Sequence, residues 1–388
     1  MNITMHIALN AWFWDQPYTG SGQYVRRLTT ALRAARPDLK LTLVTPPRIT
    51  APEGVPEGVA VHRAGGIGGK VGKVLFEQRG FPNAARAVGA DLVHVPYWGP
   101  PLASPVPLIV SVLDVIPLVM KEYSGSLASS FYTSLVTAGA RGASHIITIS
   151  NDSKNDIVAQ LGAAADDVTV TYLAVDDVFH PRLGAERDEA VRAKYNLPDR
   201  FVLYLGGFDV RKQVNELLLA YTYVTRAEGD QVPLVLAGRE PEWGGAVFPD
   251  LRQYAHDLGL DEIVQWVNAP DDADKPSLYR LAAAHVWPSR KEGFGLPVLE
   301  SMACGTPTIA WNAPVIQEIV GDGAYLVDSA REMAGAILAV LGETSLRNTL
   351  VNQGLAQVTR YSWRKTARET AAVYDHVLAA VRTAQKGG

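Results

Sequence analysis

The chain is nearly without cysteine. Cys304 stands alone among 388 residues, so no intrachain disulfide and no multi-cysteine metal site can form, which suits a reducing compartment. Long apolar runs are also missing. No window approaches the roughly 18 consecutive apolar residues that a membrane-spanning helix needs. The start, Met1-Asn2-Ile3-Thr4-Met5-His6, has no basic stretch leading into an apolar one, so no signal peptide is expected and the cytoplasm is the default location. There is no excess of positive charge. A formal net charge of −4 argues against a nucleic-acid partner.

Two phosphate-binding fingerprints fail on spacing. Gly20-Ser21-Gly22 would need a third glycine at residue 25, which is Val25, so NAD binding is not supported. Gly65-Gly66-Ile67-Gly68-Gly69-Lys70 has the wrong glycine interval and no Ser or Thr after the lysine. It reads as a mobile loop.

What is present is an α/β pattern. Short apolar runs alternate with longer amphipathic ones, as in βαβ units with a parallel sheet. The first half places strands at His6–Asn10, Leu41–Val44, Leu92–Val95, Leu108–Val112 and Ile146–Ile149, with helices such as Gln23–Ala35, Ser126–Gly139 and Ser153–Leu161. The pattern breaks at His180-Pro181-Arg182. A second series follows at Phe201–Leu205, Leu234–Ala237, Ile263–Trp266, His285–Trp287, Thr308–Ala310 and Tyr325–Val327. At 388 residues the chain is too long for one core. The expected division is one Rossmann-like α/β domain over 1–182 and a second over 183–361. A terminal helix over 362–388 then packs back on the N-terminal domain, with Ser362 as its cap. Ligands in such sheets lie beyond the carboxyl ends of the strands.

The most informative stretch is Glu292-Gly293-Phe294-Gly295-Leu296-Pro297-Val298-Leu299-Glu300. It reads as a glycine-lined loop entering a helix, with Pro297 in the first turn and Gly305 ending it. Exposed amides and the positive end of the helix dipole suit a diphosphate. Glu300, a turn further on, is placed to accept from ribose hydroxyls, and Glu292 to lie on the sugar side. A helix start with two incidental acids is the bland alternative. Arg211 and Lys212 follow the strand Phe201–Leu205 and the turn Gly206-Gly207. Cations there can neutralise a diphosphate and stabilise a departing nucleotide. Gly20 and Gly22 allow close approach of a ligand after the first strand.

Taken together, these elements resemble the GT-B-fold retaining glycosyltransferases of family four (group 1). The E-x7-E element from Glu292 to Glu300, Trp287-Pro288-Ser289, Ala303-Cys304-Gly305-Thr306-Pro307, Arg211-Lys212, Gly20-Ser21-Gly22 and Ile149-Ser150-Asn151-Asp152-Ser153-Lys154 carry the resemblance. The bacterial mannosyltransferases of O-antigen and polysaccharide assembly look most similar. The resemblance implies two Rossmann-like domains with parallel sheets facing across a cleft. It implies transfer of a hexose, mannose from GDP-mannose, to a glycan or lipid-linked acceptor, with retention and without an essential metal or other cofactor. Glu292 is then catalytic, touching the donor sugar, and Glu300 holds the ribose. Arg211, Lys212, Gly206, Gly22 and the amides of Gly293, Phe294, Gly295 and Leu296 bind the diphosphate.

Two positions depart from that family. Leu113 stands where it usually has a histidine before Asp114, and Gly207 where an arginine is frequent. Asp114 remains as a catalytic-side acid, with a structural strand-end acid as the alternative. His94, ending a strand, is the acceptor-side candidate, against a hydrogen-bonded structural histidine. Leu113 motivates a rival reading, a nucleotide-sugar-binding protein of low catalytic activity. A glycosidase using Glu292 and Glu300 as its acid and nucleophile is a further alternative, disfavoured because hydrolysis needs no phosphate site.

Weaker signals remain. Asp272-Ala273-Asp274 formally spells a metal-binding D-x-D but reads better as helix-start acids, Cys304 as packing, and Glu318 as a surface acid near the nucleotide side. Lys70, Lys73, Arg79 and Arg86, interleaved with Val71, Val74, Leu75, Phe76 and Phe81, form either a solvated face or a peripheral contact with the inner membrane face.

Overall fold

In the computed structural model, which describes residues 5–123, 127–182, 184–228 and 232–387, the chain forms two compact units. The first comprises the described residues up to Leu173 together with those from Ser362 onward, and the second is Ala174–Tyr361. The division thus falls at Leu173, against the 182 expected. The predicted cap holds: Ser362 Oγ accepts from the Lys365 amide at 3.2 Å, and the helix Trp363–Gly387 that follows belongs to the first unit.

The first unit contains β1 (His6–Asn10), β2 (Lys40–Thr45), β3 (Ala60–Arg63), β4 (Leu92–Val95), β5 (Leu108–Ser111), β6 (His145–Thr148) and β7 (Val168–Val170). They form a sheet in the order β3-β2-β1-β4-β5-β6-β7, parallel at every pairing. The second unit contains β8 (Val202–Leu205), β9 (Leu234–Gly238), β10 (Val264–Asn268), β11 (Ala284–Trp287), β12 (Thr308–Trp311) and β13 (Tyr325–Val327). Their order is β10-β9-β8-β11-β12-β13, again all parallel. The central strands are covered on both sides: Val202, Leu203 and Tyr204 of β8 are all fully buried, as expected of parallel sheets flanked by helices.

Each strand order reverses once, at β1/β4 in the first sheet and at β8/β11 in the second. Crevices beyond the carboxyl ends of strands at such a reversal are where open α/β sheets bind ligands. Arg211-Lys212 follows β8 and Glu292 to Glu300 follows β11, so the two strongest sequence signals leave the adjoining strands of one switch point.

Several expectations need correction. Gly20, Ser21 and Gly22 do not precede the first helix but form its first turn, because Thr19 caps it by accepting from the Gly22 amide at 3.1 Å. Gly69 and Lys70 open a helix, Gly69–Leu75, inside the segment read as a loop. Among the described residues no helix is long and apolar enough to cross a membrane.

Candidate active site

The turn after β8 carries a short 3-10 segment, Val210–Lys212, ending at Gln213 with φ +49° before the helix Val214–Glu228. It is stitched to the segment after β11. The Arg290 amide donates to the Arg211 carbonyl at 3.1 Å, and Arg211 Nη1 donates to the Lys291 carbonyl at 3.1 Å. Ser289 Oγ, fully buried, donates to the Arg211 carbonyl at 3.3 Å. These bonds align two segments 78 to 80 residues apart in sequence.

They bring Glu292 onto both cations. Arg211 Nη1 donates to one carboxylate oxygen at 2.7 Å and Lys212 Nζ to the other at 2.5 Å. Arg211 Nε also faces Asp209 at 3.0 Å. Glu292 and Lys212 are almost fully buried, at 8% and 7% exposure. Burial alone would raise the Glu292 carboxyl, but Lys212 and then Arg211 outweigh it and hold the group down at about 2. The Lys212 ammonium is lowered, first by burial, while Glu292 opposes that and Arg211 adds to it. Two cations and two carboxylates thus make a charge-balanced cluster at the sheet's switch point. The sequence places Arg211, Lys212 and Glu292 in one site; that Glu292 pairs directly with both cations lies beyond sequence reach, because the contact is long-range.

The helix Leu296–Ala303 begins at Gly295, whose φ of +98° is left-handed, and its first turn contains Pro297. A Cβ on Gly295 would sit 2.9 Å from Ile316 Cδ1, so backbone conformation and packing both require glycine. Phe294 is buried and meets Tyr361 edge-on at 5.9 Å. Glu300, half-buried on the same helix, accepts from Tyr279 Oη at 3.1 Å. Burial raises its carboxyl, opposed by Lys275 and by the Tyr279 hydroxyl.

Gly206 has a packing reason of its own. A Cβ there would meet Trp287 Cζ3 at 2.8 Å and Cη2 at 2.9 Å. Gly22 is similar, since its missing Cβ would fall 1.9 Å from the Gln16 carbonyl oxygen.

The remaining candidates lie in the first unit. Asp114 follows β5 and accepts from the Ile116 amide at 3.1 Å, a strand-end turn contact. His94 is corrected: it is fully buried, with Nδ1 bonded to Tyr374 Oη at 2.7 Å and Nε2 to Ser111 Oγ at 2.8 Å. Burial lowers it to about 3, so it is a neutral structural imidazole with both nitrogens occupied, not an acceptor-side group. The second acid of Asp272-Ala273-Asp274 is likewise committed. Asp274 accepts from Arg187 Nη2 at 2.7 Å, Lys194 Nζ at 2.6 Å and Tyr195 Oη at 2.9 Å. Cys304 is buried.

Two parallel α/β units, with this charge cluster at the switch point of the second, match known proteins. Residues 18–179 match Glycosyltransferase Family 4 and residues 187–357 match Glycosyl transferases group 1. The chain belongs to this family of glycosyltransferases, and its fold is GT-B. Among its relatives is the O-antigen chain mannosyltransferase B of Escherichia coli, 32% identical over 59% of this chain and 60% of that protein. The serotype-specific mannosyltransferase WbdA of Escherichia coli is 30% identical over 66% of this chain and 31% of its own length. The match thus spans less than two thirds of either relative. The sucrose-phosphate synthase of Thermosynechococcus elongatus shares the fold, with a TM-score of 0.72 at 24% identity over 97% of this chain and 100% of that one.

Proposed function

We propose that the chain is a retaining hexosyltransferase that takes mannose from GDP-mannose to a glycan or lipid-linked acceptor. The observation that carries the reading is the buried Arg211–Glu292–Lys212 cluster beside a glycine-started helix. Countercharge and backbone amides there suit a diphosphate. Mannose as the sugar rests on the names of the two Escherichia coli relatives.

In this reading Arg211, Lys212 and the Gly293–Leu296 backbone bind the diphosphate, Glu300 holds the ribose and Glu292 orients the donor sugar. The bond from the anomeric carbon to the phosphate oxygen breaks, and the acceptor hydroxyl forms its bond on the same face. The acceptor's proton passes to the departing phosphate oxygen, and GDP leaves. The cations stabilise the charge that develops on that phosphate, so no metal is assigned to the step. Contact with the inner membrane face remains part of the proposal: Lys70, Val71, Leu75, Arg79 and Arg86 are all exposed.

The test is a thermal-shift panel of GDP-, UDP-, dTDP- and ADP-sugars, followed by turnover with the best donor. A ligand that binds only the folded state raises its stability by mass action. GDP-mannose should give the largest shift and release GDP when acceptor is present. A larger shift with another base would overturn the donor assignment. Binding without nucleotide release across an acceptor panel would favour the binding-protein alternative that Leu113 raises.

A further inference from the structure

We propose that Trp287 is a positioning residue for Lys212: its buried indole face holds the ammonium in the cluster where the donor diphosphate binds. The inference rests on the donor-site reading above and adds to it a residue with no hydrogen bond to any member of the cluster.

Lys212 Nζ lies 4.4 Å from the centre of the Trp287 ring, well inside the roughly 6 Å reach of a cation–π contact. Trp287 is fully buried at the end of β11, and such contacts strengthen when the cation is desolvated. The turn that carries Lys212 is shaped around the same ring. It starts at Gly206, where the indole edge occupies the space of a Cβ, and ends at Lys212 against the ring. Tyr204, just before that turn, stacks on the indole at 5.6 Å with planes 14° apart. The ring is therefore gripped by the segment it serves.

The indole N–H points to the same role. Trp287 Nε1 is buried and has no hydrogen-bond partner among the described residues. A buried tryptophan normally satisfies that group, and leaving it unpaired costs stability that a leucine or phenylalanine would not incur. The compensating contacts are those of the ring face. They also leave the chemistry intact, because a π face holds the ammonium without an N–H···O bond. Of the three lysine donors, one goes to Glu292, and with a second turned to the ring the third is left for a phosphate oxygen.

The test is calorimetric titration of GDP and UDP into the wild-type chain and the Trp287→Leu, Trp287→Phe and Lys212→Ala variants. Ligand-observed NMR with guanosine and uridine supplies phosphate-free controls. Trp287→Leu should weaken binding of the preferred diphosphate roughly ten- to thirty-fold. Trp287→Phe should restore most of the loss, and nucleoside binding should stay unchanged in both. Should Trp287→Leu fail to fold, Trp287→Met, which fills space without a ring, is expected to show the same loss. Wild-type diphosphate affinity in the leucine or methionine variant overturns the inference. So does an equal loss for diphosphate and nucleoside, which would mark Trp287 as packing only. If Lys212→Ala itself binds both diphosphates as the wild type does, it is the donor-site reading that fails.

Discussion

Replacing Glu292 by glutamine keeps the side-chain shape and removes one charge from a buried, balanced cluster. In the folded chain the Glu292 carboxyl is held at about 2 instead of 4.5. That gap, at roughly 1.4 kcal/mol per pH unit, corresponds to about 3 kcal/mol of folding stability at neutral pH. The figure sits at the low end of the roughly 3–5 kcal/mol lost when one partner of a buried ion pair is removed. The sign follows from the depressed folded value. The stabilisation is complete above pH 4.5 and is lost as the pH falls toward 2. Urea unfolding of the wild-type chain and Glu292→Gln should therefore differ by about 3 kcal/mol at pH 7. The difference should shrink below pH 4.5 and close near 2; other carboxylates titrate in both proteins and cancel. The variant cluster carries an extra positive charge, so GDP should stabilise it at least as much as the wild type, while turnover falls. An equal stability at pH 7, or a difference that does not change with pH, would refute the assignment of Glu292 as the ionised centre of the cluster.

Glu300→Ala should weaken binding of nucleoside and nucleoside diphosphate alike, by about tenfold for one charged hydrogen-bonding group, measured by the same titrations; unchanged affinity would remove Glu300 from the ribose. Gly206→Ala forces a Cβ to within 2.8 Å of Trp287 and should cost roughly 1–3 kcal/mol in urea unfolding, a loss that Trp287→Leu in the same chain should relieve. Glu77 is fully buried, accepts from Tyr132 Oη at 3.0 Å and lies 3.4 Å from Lys73 Nζ, yet burial raises its carboxyl. A raised folded value makes the protein lose stability as the pH climbs above 4.5, and Glu77→Gln should flatten that part of the stability curve.

The elements legible in the sequence are those whose signal is local. Tyr325–Val327 and His6–Asn10 are strands with the bounds expected, and Ser362 is the cap expected. The missed strands are edges. Ala60–Arg63 is mostly exposed and lacks an apolar run, and Val168–Val170 is three residues long. The glycines at 20 and 22 look like a loop because glycine is a poor helix former; the Thr19 cap and the Gln16 carbonyl against Gly22 place them in a helix. In the site, Glu292, Glu300, Arg211 and Lys212 are readable from motif and position. What is not readable is partnership: that Glu292 is tied to both cations, that Tyr279 holds Glu300, and that His94 is occupied by Ser111 and Tyr374. These contacts join residues 17 to 280 positions apart, and only the sheet order decides them.

The last helix has a consequence for how the chain is made. Trp363 packs near Tyr24, Asp375 pairs with Arg36 at 2.9 Å and Tyr374 closes on His94. The first unit is therefore interrupted by the second, and its final wall is synthesised last. During translation, when domains commonly fold in order of emergence, residues up to Leu173 leave the ribosome with His94 and Tyr24 still uncovered. The second unit is continuous in sequence and can close on its own residues, whereas the amino-terminal half keeps that face open until residues 362 onward are in place.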